Sequence, residues 1–368
     1  MYEKEKAELL KLIDTGLTAR EIGEKIGIKR RLVSKWIEKQ RQAEHLDEYV
    51  PDGQALNGVS TLYDAKGNVK QRWIKTNKDL EASRAIMLDA VNAMVNGIEP
   101  LKPFDPPKST SSDLCSQYTI TDFHFGMYSW QGETGESWNI EEAENLLINW
   151  FDSAIQSTPN SDTAILAQLG DFMHYDGLLQ ITPSSGHVLD TEAKFPEIVN
   201  SVIRIFMVII EKLLEKHKHV HIIMAEGNHD MASSVWLRAM FAQLYANNDR
   251  VTIDNSHIPY YCFEWGDTSL FFHHGHMKKM QALPQVFASE FREVFGRTRY
   301  SYGHVGHMHH RDIKESNLMI IEQHQTLSAK DSYAVRGGYN SNRSASAITY
   351  HKKHGEVSRI TIKPEMIL

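Results

Sequence analysis

An α/β domain preceded by a small all-α unit is the architecture this sequence predicts, on three observations. From about residue 114, short apolar runs alternate with segments of helical period. Each of the principal apolar runs ends in Asp, Asn or His, so polar clusters recur at what would be strand ends. Residues 1–46 differ in charge from the rest, with eleven Lys/Arg against eight Asp/Glu. That stretch is +3, and the remainder of a chain at −7 is therefore −10. The asymmetry suggests a head that faces nucleic acid on an acidic body.

Composition excludes several classes. With 41% hydrophobic and 24% charged residues, the chain reads as an ordinary folded protein. Two cysteines, Cys115 and Cys262, are too few for a disulfide framework or a thiolate zinc site. Charged residues begin at Glu3, just after Met1 and Tyr2, which is not the pattern of a secretory leader, so a cytoplasmic location is expected. The most apolar run, residues 198–214, is broken by Asn200, Arg204 and Glu211. It reads as a buried helix, and no membrane association is expected.

Residues 6–42 read as three short helices. The first places Leu9, Leu10, Leu12 and Ile13 together and stops at Gly16. The second opens on Thr18, with Glu21 three residues later to complete a capping box. Gly27 turns the chain into a third helix with Leu32, Val33, Trp36 and Ile37 on its inner face. From Lys29 to Arg41 there are six basic residues against one acid, Glu38. The order resembles a helix-turn-helix whose last helix enters a major groove. Lys29, Arg30, Arg31, Ser34, Lys35 and Lys39 are its candidate DNA contacts. A helical bundle with a merely solvated basic face is the competing reading.

Residues 47–113 form a connector. Alternating apolar positions around DAKGN, within residues 60–76, predict a small hairpin. Residues 78–97 have the period of an amphipathic helix ending at Gly97, and residues 99–113 are rich in Pro and Ser. A third region, 114–368, then carries the α/β pattern. Its strands are read in SQYTITDFH, DTAILAQLGD, HVHIIMAEGNHD, TSLFFHHGH and YSYGHVGHMHH. Its helices are read in residues 139–155 and 192–216.

The strand ends carry the chemistry. In order they are Asp122-Phe-His124, Gly170-Asp171, Gly227-Asn228-His229-Asp230, His273-His274-Gly275-His276 and Gly306-His307-Met-His309. Extended backbone would aim Asp122 and His124 to one side, and likewise His307 and His309. A set of carboxylates, imidazoles and an amide suits Mn²⁺, Fe²⁺ or Zn²⁺ better than Mg²⁺ alone.

These five clusters, over residues 122–309, resemble the calcineurin-like metallophosphoesterase superfamily, whose motifs run DxH, GD, GNH(D/E), an H before G, and GHxH. Thr121 and Phe123 depart mildly from the commoner SDxH with an aliphatic middle residue. The resemblance implies a sandwich of two β-sheets flanked by helices, and a site for two divalent ions, with Mn²⁺ the first expectation. It implies that Asp122, His124 and His309 hold the first ion and that Asp171 bridges both. Asn228, His274 and His307 would hold the second, with His276 the alternative to His274. His229 would assist the leaving group or the phosphoryl charge, and Asp230 would orient His229.

Two loops are further candidates. Residues 127–138 hold Tyr128, Trp130 and Trp138, rings that stack on bases or pack the loop down. Residues 336–344 offer Arg336, Tyr339 and Arg343, where arginine forks would suit phosphate. His174 and Asp176 follow the second motif, and His304 and His310 flank the last; their roles stay open.

The combined expectation is a dinuclear-metal phosphodiesterase acting on nucleic acid, with DNA the expected partner. It is similar to the nuclease branch of that superfamily, which includes double-strand-break-repair exonucleases. One alternative is a phosphatase or cyclic-nucleotide phosphodiesterase that uses its N-terminal region for assembly. Another is a DNA-binding regulator on the same scaffold. Because many helix-turn-helix proteins pair, a homodimer is compatible with the sequence.

Overall fold

The computed structural model describes residues 12, 17–44, 54–64, 66, 68–78, 105–177, 179–183 and 185–367. The chain divides into two compact units, 1–85 and 86–368. The helices expected at 6–16 and 78–97 lie outside the described residues, Leu12 and Lys78 apart.

In the first unit, helix α1 (Ala19–Ile26) leads through a left-handed Gly27 into α2 (Arg30–Glu44). Thr18 caps α1, its hydroxyl accepting from the Glu21 amide while Glu21 Oε2 accepts from the Thr18 amide at 2.8 Å. Ile22 and Val33 are the buried centre, surrounded by Leu17, Ile26, Ile28, Trp36 and Ile37. Leu32, expected on that inner face, is instead 47% exposed, because Val33 one step along the helix occupies the contact. The expected hairpin forms from β1 (Gln54–Tyr63) and β2 (Val69–Lys78), antiparallel, with Ser60 opposite Trp73.

The second unit is built on two sheets. The larger contains β3 (Ser111–Ile120), β4 (Ser161–Gln168), β5 (His219–Met224) and β6 (Val251–Ile253), all parallel. Beside β3 lie β12 (Ala345–His351) and β13 (Gly355–Ile362), antiparallel, giving the order β13-β12-β3-β4-β5-β6. The crossovers between its parallel strands carry α4 (Ile140–Ser157), α5 (Phe195–Lys216) and α6 (Met231–Leu244). The second sheet has the order β10-β11-β9-β8-β7. Its members are β7 (Tyr261–Trp265), β8 (Thr268–Phe272), β9 (Tyr300–Val305), β10 (Asp312–Glu315) and β11 (Ile320–Gln323).

Alternation along the strands explains the layers. Ile165, Ala167 and Ile223 meet Leu270, Phe272 and Tyr302 between the sheets. Ala164, Leu166 and Ile222 point the other way, into a core with the helices. There α5 buries Ile198, Val202, Ile205, Ile209 and Leu213, each worth roughly 1.5–3 kcal/mol before conformational entropy is charged. On the far side of the second sheet, Phe271, Val305 and Ile321 pack on Leu283 and Phe287 of α7 (Leu283–Glu290). This is the two-sheet sandwich flanked by helices that the resemblance implied. Both faces of the central strands are covered, so their sequences read as continuous apolar runs. No helix among the described residues is long and apolar enough to cross a membrane.

Candidate metal centre

Every expected ligand follows the end of a strand. β3 stops at Ile120, β4 at Gln168, β5 at Met224, β8 at Phe272 and β9 at Val305. Asp122, His124, Asp171, His307 and His309 then turn with φ of 50°, 48°, 51°, 74° and 56°. Among the described residues they are the only non-glycines with positive φ. Convergence therefore comes from left-handed kinks just beyond the strands, not from the extended alternation expected of DxH and HxH. Each such residue costs of order 1–3 kcal/mol, and surrounding bonds must hold it.

Those bonds are present. The first two loops pair, the amides of Asp122 and His124 donating to Gly170 O and Asp171 O, each at 3.0 Å. Thr326 and Ser328 hydroxyls donate to Asp122 O at 2.6 and 3.0 Å. Two glycines permit the close approach: a Cβ on Gly227 would sit 2.0 Å from Asp171 Oδ1, and one on Gly306 would overlap the Thr121 hydroxyl.

The side chains gather as two triads, Asp122–His124–His309 and Asp171–His274–His307, each with ligand atoms within 4.8 Å of one another. Asn228 Oδ1 lies 3.2 Å from His274 Nε2, which is 3.1 Å from Asp171 Oδ2. His274 Nδ1 donates to Leu169 O at 2.8 Å, which leaves Nε2 as the free donor to a cation. His274, and not His276, therefore enters the triad. His276 stands to one side, its ring 5.2 Å from that of His274.

The donor set fits a pair of divalent ions. Asp122 Oδ1 is buried without a hydrogen-bond partner, 3.4 Å from His309 Nε2. His124 Nε2 and His309 Nε2 approach to 3.3 Å. Nitrogen and oxygen ligand atoms gathered this closely are the disposition of atoms that share a cation. Without one, the same field redistributes protons. Burial would lower His274, but the Asp171 and Asp122 carboxylates outweigh it and push the imidazole up to about 9. His124 goes the other way, well below its ordinary value, through burial and the neighbouring His229 and His309.

His229 is half-buried beside these groups, its ring 4.7 Å from that of His124. Its Nδ1 donates to His174 O at 2.8 Å and its amide to Asp171 Oδ1 at 2.7 Å. Nε2 is thus the nitrogen left for chemistry. Asp230 does not orient it. The buried Asp230 carboxylate accepts the amides of Asp171 and Gly227 at Oδ1, and those of Phe172 and Met173 at Oδ2. Both Asp230 oxygens are thus taken by backbone amides, and the His229 ring is held by His174 O instead. His174, left open by the sequence, is buried with Nδ1 3.3 Å from His124 Nδ1. It buttresses one ligand while its carbonyl fixes His229.

Other candidates resolve differently. Asp176 accepts the Ala232 and Ser233 amides at the start of α6. His304 is buried between Tyr350 and His324, and His310 is exposed. Trp138 is only 2% exposed, packed on Phe123. Arg343 lies over Trp138 and donates to Leu327 O, while Arg336 pairs with Glu133 at 3.1 Å. Neither arginine is a free phosphate fork. In the first unit Lys29, Arg30, Arg31, Ser34 and Lys35 are all exposed; Lys39 lies on α2, its side chain outside the described residues.

Residues 1–46 match the family model of a homeodomain-like domain. No curated protein matches the chain. A predicted phosphoesterase from Streptococcus pneumoniae is 10% identical, covering 68% of this chain and 100% of that one, with a TM-score of 0.30. Zinc-complexed Vps29 from Entamoeba histolytica is 12% identical over 68% and 99%, TM-score 0.30. An archaeal phosphodiesterase is 14% identical over 67% and 99%, TM-score 0.33.

Proposed function

We propose that this chain is a dinuclear-metal phosphodiesterase that cleaves nucleic acid, presented to it by the helix-turn-helix unit. The observation that carries the reading is the pair of triads sharing one site at the strand ends, with His229 beside them. Two divalent ions held there, Mn²⁺ by first expectation, would supply a hydroxide nucleophile and neutralise charge on the phosphate.

The chain's own groups do the rest. Asp171 and Asp122 set the negative field in which a cation and a phosphodiester meet. His229, fixed through Nδ1 to His174 O, presents Nε2 to the departing oxygen and gives it a proton. Asp230 keeps the 171–173 loop rigid while this happens. The exposed basic face of α2 supports delivery of DNA, since Arg and Lys there would meet phosphate and base edges.

Chelation followed by restoration of Mn²⁺, Mg²⁺ or Zn²⁺ separately tests the reading on plasmid, single-stranded DNA and bis(p-nitrophenyl) phosphate. Cleavage of all three is expected to need metal and to be lost in Asp171→Asn. In His229→Ala the cleavage of DNA should fall by roughly 10²–10⁴-fold, and that of the small diester far less, because p-nitrophenolate departs without a proton. Hydrolysis of the small diester without DNA cleavage would keep the metal chemistry and reject the nuclease. Removing residues 1–46 should weaken cleavage of long DNA and leave the small diester unaffected.

A further inference from the structure

Three segments that follow strand ends are stitched into one rim beside the ligands. Residues 125–138 come after the first motif, 174–194 after the second and 325–343 after β11. The Tyr128 amide donates to Asp190 O at 3.0 Å, and Ser129 Oγ to Lys330 O at 2.7 Å. Ser332 Oγ donates to Glu133 Oε2 and Asp190 Oδ2, and Arg336 pairs with Glu133. The rim is anchored to the centre itself, through the Met127 amide to His124 O and the Ser328 hydroxyl to Asp122 O. Asp331 caps the short helix α9 (Ser332–Arg336), its Oδ1 accepting the Ala334 amide at 2.8 Å.

Aromatic rings stand out from this rim where packing gives them no reason to. Tyr333 is 64% exposed and Tyr339 60%, their rings stacked at 6.1 Å and 25°. The exposed His187 ring lies 6.0 Å from Tyr333. Trp130, 63% exposed, precedes α3 (Gln131–Thr134), whose Glu133 holds Arg336 and Ser332 of α9. Packing accounts for Trp138, which is buried, but not for these. The nearby arginines Arg336 and Arg343 are spent on Glu133 and Glu136, and Asp190 adds negative charge. With these arginines paired and the Lys330 ammonium on Asn340 Oδ1, the open ring faces are the groups left to meet a ligand.

We propose that Tyr333 and Tyr339 form a nucleobase-stacking subsite that takes an unpaired base of the strand being cut. A base in a duplex has both faces stacked and offers none to a tyrosine, so the subsite selects single strands or frayed ends. The inference rests on the phosphodiesterase reading above.

The test uses the full chain with Mn²⁺ and two small diesters, one with a base and one without. On thymidine 5′-(p-nitrophenyl phosphate), Tyr333→Ala and Tyr339→Ala should raise KM about ten-fold at similar kcat, from the ordinary strength of ring–base stacking. Tyr333→Phe should restore the wild-type value, because the ring and not the hydroxyl is invoked. On bis(p-nitrophenyl) phosphate all variants should match wild type. If both alanine variants keep the wild-type KM on the nucleotide ester, the subsite is wrong while the metal chemistry stands. If wild type hydrolyses neither ester, the phosphodiesterase reading fails first, and calorimetric binding of a five-residue oligothymidylate decides the subsite alone. Equal affinity in wild type and the double alanine variant would overturn it; an affinity about ten-fold weaker in the variant would sustain it.

Discussion

Five side chains held at positive φ need a reason to stay there, and for Asp171 the Asp230 carboxylate supplies much of it. Its two oxygens accept four backbone amides, so both must be acceptors at once. Asp230→Asn turns one oxygen into an NH₂ group that faces amide donors, leaving buried N–H groups unpaired. The loop that presents Asp171 should then loosen, with a lower Tm and a fall in Mn²⁺ affinity of about 10–100-fold. Thermal unfolding and calorimetric titration check both. His229→Gln is the contrast, expected to slow DNA cleavage by roughly 10²–10⁴-fold while leaving metal affinity near wild type. A wild-type Mn²⁺ affinity in Asp230→Asn would show that the loop is held by something else. The contrast also marks what was legible. Asp, His and Asn at successive strand ends announce metal chemistry by residue type alone. Asp230 was readable as important but not as to role, because its partners are amides that every residue carries. His174 was picked out but its role stayed open for the same reason, since its carbonyl does half of its work.

The parallel strands and the long helices were legible at the scale of elements, because their apolar runs and 3.6 period survive burial on both faces. The closing hairpin β12–β13 was missed, though residues 345–362 alternate around a Lys-Lys-His-Gly turn. Its apolar positions are short and interleaved with Ser and Thr, which blurs the pattern. The end of α5 shows a further dependence that no periodicity reveals. His217 caps that helix and ties it to β3 and β4, with Nδ1 on Ser161 O and Nε2 on the Tyr118 hydroxyl, each at 2.8 Å. Burial pushes its imidazole down to about 4, so the folded chain keeps it neutral. Between the unfolded value near 6.5 and the folded value, the unfolded chain binds the extra proton. Its contribution is therefore whole above about pH 6.5 and is lost as pH falls toward 4. From pH 7 to 5 the loss is roughly 2 kcal/mol, at about 1.4 kcal/mol per unit. Urea titrations with chelator at both pH values should show His217→Gln less stable at pH 7 but flatter by about that amount. Ligand histidines titrate alike in both proteins and cancel in the difference. A variant as steep as wild type would remove His217 from the account.

Charge is the property that only the whole molecule displays. A +3 stretch over residues 1–46 joins a remainder at −10, so nonspecific attraction of DNA to the larger part is weak. Whatever affinity the protein has for a long polyanion should then lie on α2 and the residue before it, where Lys29, Arg30, Arg31 and Lys35 are exposed. The sequence showed this basic helix and its glycine turn plainly, and the homeodomain-like match covers the same residues. It did not show which side chains face a groove, since a solvated basic face has the same composition. Salt dependence separates the two. Each phosphate contact releases counterions, so the slope of log affinity against log salt counts contacts. Arg31→Ala and Lys35→Ala should each weaken binding across all sequences and reduce that slope by about 1. Hydrolysis of bis(p-nitrophenyl) phosphate should be untouched in both, because neither residue belongs to the metal centre. Fluorescence anisotropy with a labelled duplex at several salt concentrations reads the slope directly. If both variants keep the wild-type slope, α2 is a solvated face, and DNA reaches the metal centre by another surface.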